Sequence, residues 1–371
     1  MTPKDPTKLE SIHALLEERV LSGHWPVGAQ IPTEVELAAE FGCNRATISK
    51  AIAQLVLAGL VERRTKAGTR VVRNTPVGRR AEIELDAFAF IYPSDEHDSV
   101  WRMLKGFQAA GRQASRRIVM LPSGTDYQKE MELVGRLSEF DVKGAVVFPL
   151  LPTPADVVQF SNQLHASKLP IVLTEVSLPG LGCPTIVADA FHASYTMTRH
   201  LIAQGLKRIG FLANYARMPA VCEEYRGYLW ALEEARLAPP QDGVLLDPSV
   251  NPDFNNPLDE PLVLGRRLLE RALASPEGAL EGVVCTNDFL AVGAIQAAQE
   301  RGLAIGRDLR VVSCNDYGLA GPDGLTLTTY RLPWEEMGRR SFAMLDQLVS
   351  GAPFLHIEEV VRGSLVIGRS G

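Results

Sequence analysis

The 371-residue chain has the composition of an ordinary globular protein, with 46% hydrophobic and 22% charged residues. Its length predicts two or three domains. No apolar run approaches the roughly 20 residues that span a membrane, and the N-terminal MTPKDPTKLE lacks the apolar segment of a secretory signal. The five cysteines are scattered without C-x-x-C spacing, which indicates neither a zinc site nor a disulfide framework and favours a cytoplasmic location.

The formal net charge of −6 is unevenly distributed. Residues 1–80 contain 12 Lys and Arg against 8 Asp and Glu, a balance of +4, whereas the remainder contains 26 against 36, a balance of −10. The first segment therefore has the charge to approach a polyanion, although a surplus of this size also arises by ordinary variation.

Three helical patterns precede residue 60. The first covers about 7–22. The second opens with Thr33 and Glu36 at the spacing of a capping box, and Gly42 suits the left-handed residue that ends a helix. The third begins after Asn44, a predicted N-cap. These helices predict a compact helical unit at the front of the chain.

The third helix and the segment after it predict a nucleic-acid interface. Its apolar face is small and regular: Ile48, Ala51, Ile52 and Leu55. The outward face carries small residues and hydrogen-bond donors, which permit close approach to another surface. Two β-like runs then flank a basic turn, as in the wing of a winged helix-turn-helix. The donors on the helix and in the turn are Arg45, Thr47, Ser49, Lys50 and Lys66.

The stretch VGAQIPTEVELAAEFGCNRATISKAIAQLVLAGLVERRTKAGTRVV resembles the winged helix-turn-helix of the GntR family. The resemblance covers about 65 residues and implies that Arg45 and Thr47 contact DNA. Ser49 stands where many members have Arg, so it cannot supply a bidentate contact to guanine. The positions that match the family pattern are Thr33, Glu34, Arg45, Thr47 and Gly68.

The remainder of the chain alternates between strand and helix patterns. Residues 73–86 lack periodicity and predict a hydrophilic linker between a head domain, 1–72, and a body domain, 87–371. From residue 87, short apolar runs alternate with helical stretches, which is typical of βαβ units and parallel sheets. The predicted fold class is α/β.

Ligands of such sheets bind beyond the carboxyl ends of the strands. Polar side chains follow several predicted strands, and acids, amides and an indole ring are typical of sites for polyhydroxylated ligands. Asp189 and Asn287 also precede helices, so simple helix capping is an alternative for both. The candidate residues found in this way are Asp95, Trp101, Glu175, Asp189, Arg226, Asn287, Asp288, Asn315 and Asp316.

Residues 87–371 resemble the effector domain of the LacI family, which is similar to periplasmic sugar-binding proteins. The stretches ASYTMTRHLIAQGLKRIGFL and GVVCTNDFLAVGAIQAAQERGLAIGRDLRVVSCND carry much of the resemblance. It implies a two-lobed domain joined by three crossovers, with lobes of about 87–206 plus 330–354 and 207–329 plus 355–371. The same resemblance implies that the cleft is lined by Asp189, Arg226, Asn287 and Asn315.

These observations predict a homodimeric transcriptional repressor that binds operator DNA and is controlled by a sugar or sugar derivative in the cleft, with no cofactor or metal. One alternative is a constitutive DNA-binding protein whose body only dimerises. Another is a sugar-processing enzyme, but the chain lacks the P-loop, G-x-G-x-x-G, G-x-S-x-G and H-E-x-x-H motifs. A sugar-transport protein is disfavoured by the basic head.

Overall fold

A computed structural model shows the chain as two units, Met1–Glu84 and Leu85–Gly371. It describes residues 8–371 except 58, 65–67, 73, 75–85, 95–96, 125, 152–153, 168, 179, 249–258, 276–278 and 353–356. Most of the predicted linker therefore lies outside the described residues. Among the described residues, no helix is both long enough and apolar enough to cross a bilayer.

The first unit is a three-helix head with a β-hairpin. Its helices enclose a core that includes Leu16, Leu37 and Ile52, all fully buried. The hairpin is antiparallel, with Val61 opposite Val71, and an isolated bridge adds Gln30 beside Arg70. The elements are α1 (Lys8–Leu21), α2 (Glu34–Glu40), α3 (Arg45–Leu57), β1 (Val61–Arg64) and β2 (Gly68–Val71).

The second unit, the body, contains two six-stranded sheets. The first has the order β4-β3-β5-β6-β7-β15 and is entirely parallel. The second has the order β9-β8-β10-β11-β14-β16 and is parallel except for β16. The strands are β3 (Ala87–Tyr92), β4 (Arg117–Pro122), β5 (Gly144–Val147), β6 (Ile171–Thr174), β7 (Thr185–Ala188), β8 (Ile209–Ala213), β9 (Val244–Leu246), β10 (Gly282–Cys285), β11 (Arg310–Asn315), β14 (Thr328–Arg331), β15 (Glu358–Val361) and β16 (Ser364–Val366), with a small hairpin of β12 (Ala320–Gly321) and β13 (Leu325–Thr326).

Helices cover both faces of each sheet, because both faces of the parallel strands are apolar. Alternate residues of β3 show this: Phe88 and Phe90 pack with Phe107, whereas Ala89 and Ile91 belong to a separate cluster on the opposite face. The helices are α4 (Asp98–Gln113), α5 (Tyr127–Gly135), α6 (Pro154–Ala166), α7 (Ala190–Ala203), α8 (Pro219–Glu234), α9 (Asp259–Leu273), α10 (Asp288–Glu300) and α11 (Trp334–Ser350).

The two sheets define two lobes, and the chain passes between them at 188–190, 331–334 and 361–364. The three predicted crossovers are therefore present, but each predicted lobe boundary is displaced. Helix α7 belongs to the second lobe, because it packs against α8, β10 and β11. Strand β15 belongs to the first lobe, because Glu358 pairs with Thr185 of β7. Tyr330 lies in the second lobe, since β14 pairs with β11 there.

Glycines allow pairs of helices to approach until their backbones touch. In the first lobe, a Cβ on Gly106 of α4 would lie 1.9 Å from the carbonyl oxygen of Glu335 in α11. The reverse contact is equally close, since a Cβ on Gly338 would lie 1.9 Å from the carbonyl oxygen of Met103. A larger residue at either position would force the two helices apart.

We expect Gly338→Ala to destabilise the body by about 1–3 kcal/mol, the usual cost of overpacking a core. The reason is that the new methyl group would meet backbone, which cannot move without displacing α4 from α11. Urea denaturation followed by circular dichroism measures the change. The matched control is Gly135→Ala, whose Cβ meets only the mobile end of Gln163. Equal stability of both variants would contradict this account of the helix pair.

Candidate functional site

The second helix of the head is fixed by a capping box. The Thr33 hydroxyl accepts a hydrogen bond from the backbone N–H of Glu36, and the Glu36 carboxylate accepts one from the backbone N–H of Thr33. The predicted capping box is therefore confirmed. Gly42, at φ 55°, takes the predicted left-handed conformation after the helix. These two features set where the chain turns toward α3.

Helix α3 presents the predicted outward face. Asn44 accepts hydrogen bonds from the backbone N–H and the hydroxyl of Thr47, both at 2.8 Å, which confirms the N-cap. The predicted inward residues are all buried, while the outward face is exposed. The inward set is Ile48, Ala51, Ile52 and Leu55, and the outward set is Ala46, Lys50, Ala53 and Gln54.

Glu34 joins α2, α3 and the wing. Its carboxylate accepts a hydrogen bond from Arg45 at 3.0 Å and from Arg63 at 2.6 Å. Burial alone would raise the pKa of Glu34, but hydrogen bonds from Arg45 and Ser49 and the charge of Arg63 together lower it. Glu34 therefore stays ionised and orients the two guanidinium groups.

The remaining head residues differ in how far they are free to reach a ligand. Arg45 is 72% exposed beyond its contact with Glu34, and Lys50 is exposed. The Ser49 hydroxyl accepts a hydrogen bond from Arg63 at 3.2 Å, so it supports the wing. Gly68 opens β2 at φ 78°, a conformation that favours glycine. Lys66 lies outside the described residues.

Left-handed backbone conformations mark the carboxyl ends of three strands of the body. Glu175 follows β6 at φ 66°, and Tyr215 lies just beyond β8 at φ 52°. Asn315 and Asp316, at the end of β11, have φ values of 105° and 54°. Such conformations cost about 1–3 kcal/mol each for residues other than glycine and concentrate at functional sites. Their clustering at one edge of the sheets is consistent with a ligand cleft there.

Two of the predicted cleft residues are helix caps. Asp189 caps α7 through the backbone N–H of His192, and its other oxygen accepts a hydrogen bond from Arg362 at 2.8 Å. Asn287 caps α10, and its amide donates to the Asn214 side chain at 2.9 Å. The capping alternative is thus confirmed for both residues. Both polar side-chain atoms of each residue thus have partners within the protein.

Asp288 and Asp316 have protein partners rather than open carboxylates. Asp288 is buried and accepts hydrogen bonds from Ser313, Thr329 and the backbone N–H of Tyr317. Burial raises the pKa of Asp288, while these hydrogen bonds oppose the shift. Asp316 pairs with Arg331. Both Asp288 oxygens thus have partners within the second lobe, and a ligand contact for this residue stays a prediction.

Arg226 does not lie where the resemblance implied. Its side chain is 67% exposed and forms an ion pair with Glu223 on the outer face of α8. The rotation of α8 is fixed by Gly227, whose Cβ would lie 2.2 Å from the carbonyl oxygen of Phe191 in α7. Glu224, one turn before Tyr228, is consequently the residue that points inward, and it is only 7% exposed.

Glu175 and Glu224 form a pair of carboxyl groups from opposite lobes. Burial raises the pKa of Glu175 to about 7, although a backbone N–H from Ala188 opposes the shift. Burial is the main reason that the pKa of Glu224 is raised to about 8. The charge of Glu175 adds to this rise, and a hydrogen bond with Cys314 opposes it. Both glutamates are thus held in surroundings that favour the protonated carboxyl.

The lobes also touch at one end of the cleft. Arg102 of the first lobe donates to the backbone carbonyl of Asp316 in the second, and the rings of His97 and Tyr317 meet edge to face at 6.0 Å. Burial raises the pKa of Tyr317 well above its usual range. Trp101 is half exposed with Lys105 over its ring, and Asp95 lies outside the described residues.

Sequence reasoning missed Glu224 and Asn214. Asn214 directly follows β8, so the rule that selected Glu175 and Asn287 applies to it equally. Glu224 lies on the same helical face as Tyr228 and Ala231, and a charged residue within a buried helical stripe was the available signal.

Comparisons with known proteins match both units. Residues 8–71 match the family of bacterial regulatory proteins named gntR, and residues 198–371 match a periplasmic binding protein-like domain. The arabinose metabolism transcriptional repressor of Geobacillus stearothermophilus is 23% identical over 353 residues, covering 95% of this chain and 94% of the relative. The transcriptional repressor PurR of Pectobacterium carotovorum is 32% identical over 244 residues, 66% of this chain and 67% of the relative.

A solved structure shares the fold of the body. Superposition on the lac repressor dimer bound to operator and the anti-inducer ONPF gives a TM-score of 0.66. The aligned part is 17% identical and covers 79% of this chain and 98% of that chain. The relatives are repressors, which confirms the prediction of a regulator rather than an enzyme. The chain belongs to the bacterial transcriptional repressors, with a head of the gntR regulatory family and a LacI-type body of periplasmic-binding-protein-like fold.

Proposed function

We propose that this repressor binds operator DNA through α3 and its wing and releases or tightens that contact when a sugar or sugar derivative occupies the cleft. The observation that supports this proposal is the exposed, basic N-terminal end of α3, where the Glu34 carboxylate binds both Arg45 and Arg63. Guanidinium groups on a small-residue helix face suit phosphate and guanine contacts in a major groove. Lys50 and Thr47 lie beside them on α3.

A homodimer would present two such helices to successive major grooves of a near-palindromic operator. The lac repressor, whose body has the same fold, is a dimer on its operator, which supports this arrangement. The name of the Geobacillus relative points to arabinose metabolism, and this supports a sugar as the effector.

The ligand would contact the carboxyl-end residues of both lobes. We assign Glu175 and Asp189 to the first side of the cleft and Asn287 and Asn315 to the second. A ligand that bridges both lobes binds the closed form better than the open form, and only that difference in affinity changes DNA binding. Lobe closure then alters the spacing of the two heads in a dimer.

Arg45→Ala should weaken operator binding by about 1–3 kcal/mol, or roughly 5- to 150-fold, because it removes an exposed guanidinium from the start of α3. Fluorescence anisotropy with a labelled operator measures the change. Arg136→Ala is the charge-matched control, since Arg136 pairs with Glu132 on the body surface. Unchanged affinity of the Arg45 variant would contradict the assignment of α3 to DNA.

Glu34→Gln tests the positioning of both arginines. The variant removes a negative charge from the interface, so affinity for non-specific DNA should stay equal or rise. The specific-to-non-specific affinity ratio should fall, because Arg45 and Arg63 lose the carboxylate that orients them. Competition with non-operator DNA measures this ratio. A ratio equal to that of the wild type would show that Glu34 does not orient the arginines.

A titration of neutral pentoses, hexoses, uronic acids and amino sugars tests ligand control. The effector should change operator affinity by about 5- to 150-fold, the range of typical allosteric coupling. It should also raise the melting temperature of the protein, because it binds only the folded state. Operator affinity that no compound alters would instead favour a constitutive DNA-binding protein whose body serves only to dimerise.

A further inference from the structure

An arginine of the wing lies against α3, and its placement bears on which residues recognise the operator sequence, an inference that rests on the function proposed above. Arg63 belongs to β1, yet its Nη2 donates to the backbone carbonyl and to the hydroxyl of Ser49 in α3, both at 3.2 Å. The same nitrogen donates to the Glu34 carboxylate at 2.6 Å. These contacts hold the guanidinium of a wing residue against the second turn of α3.

The Glu34 carboxylate binds one guanidinium on each of its oxygens. Oε2 accepts from Arg45 at the start of α3, at 3.0 Å, and Oε1 accepts from Arg63 of the wing. Ser49 follows Arg45 by four residues, so it lies one turn further along the same side of the helix. Its hydroxyl has a single N–H or O–H donor to offer, whereas the guanidinium that covers it has several.

Arg63 is anchored in a way that leaves donors for a ligand. Its side chain is 41% exposed. Every hydrogen bond that it makes to a described residue uses Nη2, so Nε and Nη1 have no partner among those residues. Because a guanidinium is a rigid plane, anchoring one nitrogen also fixes the direction of the other two. Less conformational entropy is then lost when a ligand binds.

The surroundings of Arg63 favour a base over a phosphate as this ligand. A phosphate that approached the guanidinium would also approach the negative charge of Glu34, which opposes its binding. Guanine instead offers two acceptors without net charge, O6 and N7, in the major groove, and the parallel donors of arginine match them. Such a contact depends on the orientation of the guanidinium, which Glu34 and Ser49 fix.

We propose that Arg63 contacts the O6 and N7 edge of a guanine in the major groove of the operator, and that the wing thereby contributes a specificity-determining side chain beside α3. Glu34 and Ser49 act as positioning residues for this contact. At least one guanine of the operator is therefore recognised from β1 and not from the recognition helix.

The test replaces single guanines by 7-deazaguanine, which keeps its base pair but lacks the N7 acceptor. The probes are double-stranded oligonucleotides that the full-length wild-type protein enriches from a randomised pool. Fluorescence anisotropy compares each substituted oligonucleotide with its parent. We expect the substitution at one or more guanines to weaken wild-type binding by about fivefold or more, the lower end of the discrimination that a bidentate contact gives.

Two variants remove the guanidinium, and a third is the charge-matched control. Arg63→Ala and Arg63→Gln should each bind the parent and the 7-deaza oligonucleotide equally at one of these guanines, because glutamine pairs with adenine and alanine with neither purine. Arg70→Ala removes the same charge from β2, where Arg70 is exposed and lies opposite Glu62, on the other face of the hairpin from Arg63. It should keep the effect at every guanine. Thermal melting checks that each variant is folded.

The outcomes separate this inference from the proposed function. Loss of the effect at the same guanine in both Arg63 variants, with its retention in Arg70→Ala, supports the inference. The inference is overturned if either Arg63 variant keeps every effect, if the control loses the same one, or if the wild type is sensitive at no guanine; operator binding through α3 then still stands. A pool from which the wild type enriches no sequence overturns the proposed function itself, and this inference with it.

Discussion

Direct backbone contact between paired helices is the constraint on which the body depends. Gly106 and Gly338 remove the side chains that would separate α4 from α11, and Gly265 and Gly293 do the same for α9 and α10 of the second lobe. In each lobe, the pair covers one face of a parallel sheet. Because α11 returns to the first lobe after the chain has built the second, its contact with α4 also fixes where the last crossovers lie.

The same constraint decides which residues face the cleft. Gly227 brings α8 against the backbone of α7 at Phe191, and this contact sets the rotation of α8. Glu224 is therefore directed inward and Arg226 outward, whereas the resemblance to the LacI family implied that Arg226 lines the cleft. The carboxyl group on the inward face of α8 follows from helix packing, because residues 224 and 226 lie about 200° apart around the helix and only one of them can face inward.

Local sequence patterns predicted the helices and strands well, but they predicted less well which of these elements pack or pair with one another. The outward face of α3 and the capping residue Asn44 were predictable, since both depend on neighbours within one or two helical turns. The assignments of α7 and β15 failed because lobe membership depends on pairing with distant strands. Arg226 failed for the same reason: its placement depends on a contact between α8 and Phe191. Glu224 and Asn214 were missed although each had a local signal, a charged residue within a buried helical stripe and an amide directly after a strand.

The three crossovers between the lobes restrict how the body can deform. Each is only a few residues long, and Asp189 of the first is tied to the third by the ion pair with Arg362 and by a backbone hydrogen bond to Val361. Short parallel connections that are joined to one another resist lateral sliding of one sheet past the other. The lobes can therefore open and close by bending about a single hinge axis through these segments, and not by sliding of one lobe past the other.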